Sequence, residues 1–254
     1  MQTAALCTLC GEALGLQAAF RRIERPQYEA RPAQSPGEAL CELCQRQRPA
    51  FVHAAAYGEY AGTLRALIHL LKYEHVTTVA APLGAHLAQV ILSLSDLPSE
   101  LIVVAVPLHP IKERQRGFNQ TILLAEQALL ALRQKSPSRQ TSPTPRCTPA
   151  LRALGRQHAT ESQSGLTAHE RRRNLRGAFF VAEPEQIAGR AVLLLDDIYT
   201  TGATARECTR VLLAAGASAV YVATLARSQR EGVAYWDAPA LQRAGQPSQG
   251  VLAY

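Results

Sequence analysis

No apolar run in this 254-residue chain is long enough to cross a bilayer as a helix. The longest candidate, Leu101-Ile102-Val103-Val104-Ala105-Val106-Pro107-Leu108, is the length of a strand. No membrane insertion is therefore expected. The opening Met1-Gln2-Thr3-Ala4-Ala5-Leu6-Cys7 carries neither a basic n-region nor a continuous apolar h-region, so no secretory leader is expected either. The expected compartment is the cytoplasm, where thiols stay reduced. Aromatics are few, at 6%, and charged residues make up 19% against 47% hydrophobic. That balance excludes a disordered chain and allows one sizeable core with an appendage, or two small domains.

Acids are in deficit. Lysine plus arginine number 27 against 20 aspartates and glutamates, a net +7 that favours anionic partners. The excess is local. Residues 1–50 hold six basic and five acidic side chains. Residues 146–176 hold seven arginines (Arg146, Arg152, Arg156, Arg171, Arg172, Arg173, Arg176) against only Glu161 and Glu170. A local excess is a candidate site.

Four of the six cysteines form two C-x2-C pairs, Cys7 with Cys10 and Cys41 with Cys44. Each such turn points two thiolates at one ion, and two turns close a tetrahedral zinc site. Gly11 suits the tight knuckle because its backbone accepts positive φ. The 30 residues between the pairs exceed the usual zinc-ribbon spacing. Two disulfides, unconnected thiols and iron–sulfur ligation are the competing readings. A reducing compartment disfavours disulfides, and nothing else suggests electron transfer, so structural zinc is expected. Pro26, Pro32, Pro36 and Gly37 leave the intervening stretch little periodicity, and a metal is expected to fold it. Cys147 and Cys208 stand alone and read as ordinary thiols.

Leu64, Leu67, Ile68 and Leu71 recur at i, i+3, i+4 and i+7 and predict a helix over residues 62–72. At its end, Lys72 and Tyr73 read either as helix-terminal charge or as a phosphate contact. Leu83, Leu87, Val90 and Ile91 predict a second helix over 82–94. Residues 101–106 read as a strand buried on both faces and ended by Pro107. Asn119 is placed to cap a third helix reaching Arg133. Pro137, Pro143, Pro145 and Pro149 lie among Ser, Thr and Arg and predict a mobile insertion over 134–150. A hairpin is expected next, its second arm near 177–181. A strand at 192–195, a helix at 203–215 and a strand at 219–225 make a βαβ unit of a mostly parallel sheet. The expected division is a four-cysteine knuckle over 1–50, an α/β domain over 51–230 and a tail over 231–254.

The run Val192-Leu193-Leu194-Leu195-Asp196-Asp197-Ile198-Tyr199-Thr200-Thr201-Gly202-Ala203-Thr204 carries the chemistry. A buried parallel strand delivers two acids to its carboxyl end, where ligands of open α/β sheets bind. Adjacent carboxylates accept hydrogen bonds from a vicinal diol. The hydroxyl-rich turn with Gly202 lets backbone amides converge on an anion, and the following helix N-terminus favours phosphate. The bland alternative is that Asp197 caps a helix and Thr200-Thr201 forms a polar turn.

The run resembles the phosphoribosyl pyrophosphate (PRPP) signature of type I phosphoribosyltransferases. The resemblance implies that Asp196 and Asp197 contact the ribose hydroxyls. It also implies that Thr200, Thr201, Gly202, Ala203 and Thr204 wrap the 5-phosphate, and that PRPP arrives with Mg²⁺. Three further blocks narrow the match: Tyr57-Gly58 through Leu67-Ile68-His69-Leu70-Leu71-Lys72-Tyr73; Val106-Pro107-Leu108-His109 with Arg114-Gln115-Arg116-Gly117-Phe118-Asn119-Gln120; and Thr160-Glu161-Ser162-Gln163-Ser164-Gly165-Leu166 with Glu170-Arg171-Arg172-Arg173-Asn174. With the knuckle in front, the chain resembles the ComF family of competence proteins from Cys7 to about Arg227. The family implies an α/β fold, a type I phosphoribosyltransferase-like mostly parallel sheet flanked by helices behind a four-cysteine zinc knuckle. It implies a cytoplasmic protein that handles single-stranded DNA during natural transformation, with a competence helicase as partner.

A working transferase also needs a pyrophosphate loop, a hood and a base pocket. Pro107, Leu108, His109, Arg114 and Arg116 are candidates for the loop, with Lys112 as a further cationic donor. Arg171, Arg172, Arg173 and Arg176, with Arg152 and Arg156 across the hairpin, are candidates for a basic hood that contacts DNA or simply faces solvent. No base pocket is legible. Whether the chain is an active phosphoribosyltransferase acting on a base or amine, or a module that binds PRPP and handles DNA, stays open at this level.

Overall fold

The computed structural model describes residues 6–14, 39–134, 144–157 and 175–228. Uninterrupted runs of Val, Leu and Ala are stable in a sheet only when helices or loops cover both its faces. Two such runs, β6 (Ala191–Tyr199) and β7 (Ala219–Arg227), lie inside one sheet with β2 (Glu100–Ala105), β1 (Ala54–Glu59) and the mostly exposed β3 (Arg146–Pro149). Their order is β1-β7-β6-β2-β3, and every neighbouring pair is parallel. Between β3 and β6, β4 (Leu154–Arg156) and β5 (Phe179–Val181) make the expected antiparallel hairpin.

Side chains alternate across the sheet with the two-residue period of a strand. Leu101, Val103, Leu193, Leu195 and Ala223 face α2 (Gly62–Tyr73), α3 (Ala80–Ser93) and α5 (Gln120–Gln134), whose Ile68, Leu71, Leu87, Ile91 and Leu124 are buried there. Helices α3 and α5 touch at Gly84, where any Cβ would overlap Gln127. Ile102, Val104, Val192, Leu194, Val220 and Val222 face the other way, towards α6 (Ala203–Ala214), the hairpin and the four N-terminal cysteines. The cysteine knuckle, with its short α1 (Glu42–Arg46), thus shares its core with the sheet. The amide of Ala54 at the start of β1 donates to the Leu9 carbonyl at 2.8 Å and ties the two together.

Besides β1, for which no strand was expected, three elements differ from the sequence reading. Residues 146–149, placed in an insertion, form β3 and pair in parallel with residues 100–103 of β2. An edge strand tolerates proline because one side of it needs no donor, and this is what the proline-rich composition concealed. Residues 135–143 lie outside the described residues. The strand expected at 192–195 runs on to Tyr199, because β7 also continues to Arg227 and supplies ladder partners opposite Asp196, Ile198 and Tyr199. The expected pyrophosphate loop contains a helix, α4 (Pro110–Arg116), begun by proline at its first position and ended by Gly117 at φ +78°. Among the described residues no helix is long and apolar enough to cross a membrane.

Candidate functional site

Because Asp196 and Asp197 are consecutive in β6, they leave the sheet on opposite faces. Asp197 points to the α2 and α5 side. Its Oδ2 accepts from Lys72 Nζ at the end of α2 and from Gln120 Nε2 at the start of α5, each at 2.8 Å. Burial opposes the charge of Lys72, but the Asp197 carboxylate outweighs it and holds the ammonium above its ordinary value. Asp196 points to the hairpin and α6 side, where Arg156 and Cys208 lie within electrostatic range. Its Oδ1 accepts from the Asp197 amide at 2.9 Å. Burial first, and then the charge of Asp197, pushes the Asp196 carboxyl up to about 7, against the pull of Lys72 and Arg156. The two acids are therefore unlike: one is clamped by a lysine and an amide, the other is poised near neutrality.

The turn after β6 reaches helix α6 through Gly202, in the left-handed region at φ +73°. A Cβ at this position would collide with the Tyr199 hydroxyl, so the loop lies directly on that ring. Thr201 Oγ1 accepts from the Ala203 amide at 3.4 Å. Residues 200–204 thus form a tight hydroxyl-bearing turn into a helix N-terminus, as the sequence indicated. Tyr199 is 5% exposed, and among the described residues its hydroxyl has no hydrogen-bond partner.

On the far side of Tyr199 lie the cysteines. The sulfurs of Cys7, Cys10, Cys41 and Cys44 fall within 4.8 Å of one another, all four residues are buried, and none is in a disulfide. Such a group can hold a metal such as zinc. Two guanidiniums face it. Arg227 donates to Cys10 Sγ at 3.4 Å, to the Cys10 carbonyl and to Glu12 at 2.5 Å. Arg206 of α6 donates to Cys44 Sγ at 3.8 Å and to the Gln47 carbonyl at 2.8 Å. Cations on the sulfurs suit thiolates, the form a metal requires.

Of the pyrophosphate-side candidates, His109 caps α4 through Nδ1, which accepts from the Ile111 amide at 3.3 Å. Pro107 and Leu108 are half-buried beside it, and Arg114 is exposed. Arg116 donates to Gln120 Oε1 at 2.5 Å and so joins the Asp197 network. Partial desolvation, then the charges of Arg156 and Arg116, push the Lys112 ammonium below its ordinary value, so three cations converge here. Arg152 is engaged at 3.2 Å by Glu113 of α4. Arg176 is exposed near Glu207. Arg171, Arg172 and Arg173 lie outside the described residues. Gln120, although it closes one of the quoted blocks, had no assigned partner until the fold set it 77 residues away against Asp197, and Arg206 and Arg227 gain their roles only when the cysteines pack against them.

No family model matches the chain. The chain is 30% identical to the DNA utilization protein YhgH of Salmonella typhi over 226 residues, covering 88% of this chain and 90% of that protein. Competence protein F of Haemophilus influenzae is 28% identical over 193 residues, 74% of this chain and 78% of its own length. Competence protein ComFC of Bacillus subtilis is 34% identical over 128 residues, half of this chain and 45% of its own. Among solved structures, a glutamine PRPP amidotransferase from B. subtilis matches 59% of this chain and 26% of its own at 19% identity, with a TM-score of 0.36.

Proposed function

This chain belongs to the ComF family of competence and DNA-utilization proteins, and from that premise we propose that it binds Mg²⁺–PRPP or a related sugar phosphate and handles single-stranded DNA during uptake. One observation carries the reading: two consecutive acids on opposite faces of β6, Asp197 clamped by Lys72 and Gln120 and Asp196 free of that clamp, stand just before a left-handed glycine turn into a helix. In this reading Asp196 accepts from a ribose hydroxyl, while Asp197, held by Lys72 and Gln120, fixes the strand end. The amides of residues 201–204 receive the 5-phosphate. Lys112, within electrostatic range of Arg116 and Arg156, would with them hold the Mg²⁺-bound diphosphate, whose negative charge would offset the repulsion on the lysine. Zinc, held by Cys7, Cys10, Cys41 and Cys44, would supply a cross-link that fixes the knuckle against the sheet and takes no part in bond making.

DNA contact would run along the arginines of the hairpin and of residues 171–176, through backbone phosphates and without base preference. The partner would be a competence helicase. A second reading, turnover of PRPP, draws on the same converging cations, which would stabilise a departing diphosphate.

Calorimetry of Mg²⁺–PRPP against the intact chain tests the site. Asp196→Ala with Asp197→Ala is expected to weaken binding at least about tenfold, since hydrogen bonds to charged groups are worth roughly 1.5–3 kcal/mol each. Absence of binding by the unmodified chain would defeat the proposal. Pyrophosphate release across candidate bases and amines decides turnover.

A further inference from the structure

Tyr73 ends helix α2 with 60% of its surface exposed. A single exposed aromatic is ordinary on a protein surface. This one is held. His69, one turn earlier, lies 4.6 Å from it, with the ring planes at 43°. The Arg116 guanidinium sits over the Tyr73 ring, 5.6 Å from its centre. The same guanidinium donates to Gln120, Gln120 donates to Asp197, and Asp197 pairs with Lys72, the residue before Tyr73. These contacts close a circuit that fixes the ring at the edge of the acid pair.

The two segments that make this circuit meet again just beyond it. His75 adopts φ +58°, a left-handed conformation uncommon outside glycine, and its ring meets Phe118 edge-on at 6.1 Å. Arg116, which covers part of the ring, shares the last turn of α4 with Arg114 and lies within electrostatic range of Lys112. Of the acids nearby, Glu74 is paired with His69 at 3.7 Å and Glu113 with Arg152 at 3.2 Å. An exposed, immobilised π-face flanked by cations suits a planar ring carried on a polyanion.

We propose that Tyr73 is a stacking platform for an unpaired base of single-stranded DNA, beside the acid pair. The inference rests on the DNA-handling reading above and adds to it a contact with bases, where the hairpin arginines would touch only phosphates. A ring already held by its neighbours loses little freedom when a base stacks on it, so the gain from stacking is largely kept.

The test compares two oligonucleotides of about 20 units, longer than a typical single-strand site, one of thymidines and one of abasic residues. Anisotropy titrations use the full-length, metal-loaded chain. Thymidine oligonucleotide is expected to bind roughly tenfold more tightly than the abasic one, the scale of a stacked base. Tyr73→Ala should bring it down to the abasic level, and Tyr73→Phe should restore the difference. Equal binding of both oligonucleotides by the unmodified chain would overturn the platform and leave DNA handling intact. Binding of neither would overturn both. Tyr73→Ala that still prefers thymidines would overturn the assignment to this residue.

Discussion

The guanidinium of Arg227 lies 4.4 Å above the ring of Tyr199 while also reaching Cys10. The hydroxyl end of the same ring lies against Gly202. One stacked pair therefore links the cysteine cluster to the candidate phosphate turn by direct contacts.

The first expectation follows directly. Cys7→Ser with Cys41→Ser should abolish binding of one zinc equivalent, read by metal analysis, and should lower PRPP affinity by about tenfold, the weight of one charge-assisted hydrogen bond. Unaltered PRPP affinity in the metal-free variant would show that the stacked pair does not couple the two.

Gly202→Ala tests the turn itself. A side chain at φ +73° costs roughly 1–2 kcal/mol, and here the added carbon also strikes Tyr199. Calorimetric PRPP affinity should fall at least about tenfold. A variant that binds normally would remove the turn from the site.

Lys72 and Asp197 form a pair whose side chains are 14% and 8% exposed. Removing one partner of a buried pair costs about 3–5 kcal/mol, because the other charge is left behind. Lys72→Met alone should be strongly destabilising in urea melts, and Lys72→Met with Asp197→Asn should recover most of the loss. An additive double variant would mean that the two do not interact.

Asp196 sets a pH dependence. Its carboxyl is raised from 3.8 to about 7 in the folded chain, so the folded state holds the proton more tightly than the unfolded one. The stability this supplies is full below about pH 4 and is lost as pH rises through 7. Asp196→Asn cannot ionise. Its melting temperature should match the unmodified chain near pH 4 and exceed it by a margin that grows up to about pH 7 and stays level to pH 8. A constant offset across that range would count against the raised value.

Changing Arg171, Arg172 and Arg173 to Ala should flatten the plot of log affinity for single-stranded DNA against log salt. Each lost phosphate contact should reduce the slope by roughly 0.7. An unchanged slope would assign these arginines to solvent or to a protein partner.

Periodic and covalently local features were legible in the sequence. The α2 stripe buries Ile68 and Leu71, Asn119 caps α5 by accepting from the Thr121 amide at 2.9 Å, and the two C-x2-C turns converge. What escaped it depends on long-range pairing. Residues 146–149 are a strand only because β2 lies beside them, and α4 has no apolar stripe to announce it, with Ile111 47% exposed. Lys72 was readable as helix-end charge, whereas its true partner comes from β6. The contact of Arg116 with Tyr73 was illegible for the same reason, since the two meet only in the fold.

The contact between Arg227 and Cys10 spans 217 residues of sequence, and β1 pairs with β7, the last strand described. At about 5–20 residues per second, a ribosome needs roughly 10–40 s to make that interval. For most of it, once Cys41 and Cys44 have followed, all four cysteines precede the strand they dock on, which has not yet been synthesised. Birth order and docking order are therefore reversed: the earlier segment settles only after the later one, and a nascent chain stalled before Arg227 would carry a cysteine knuckle with nowhere to rest.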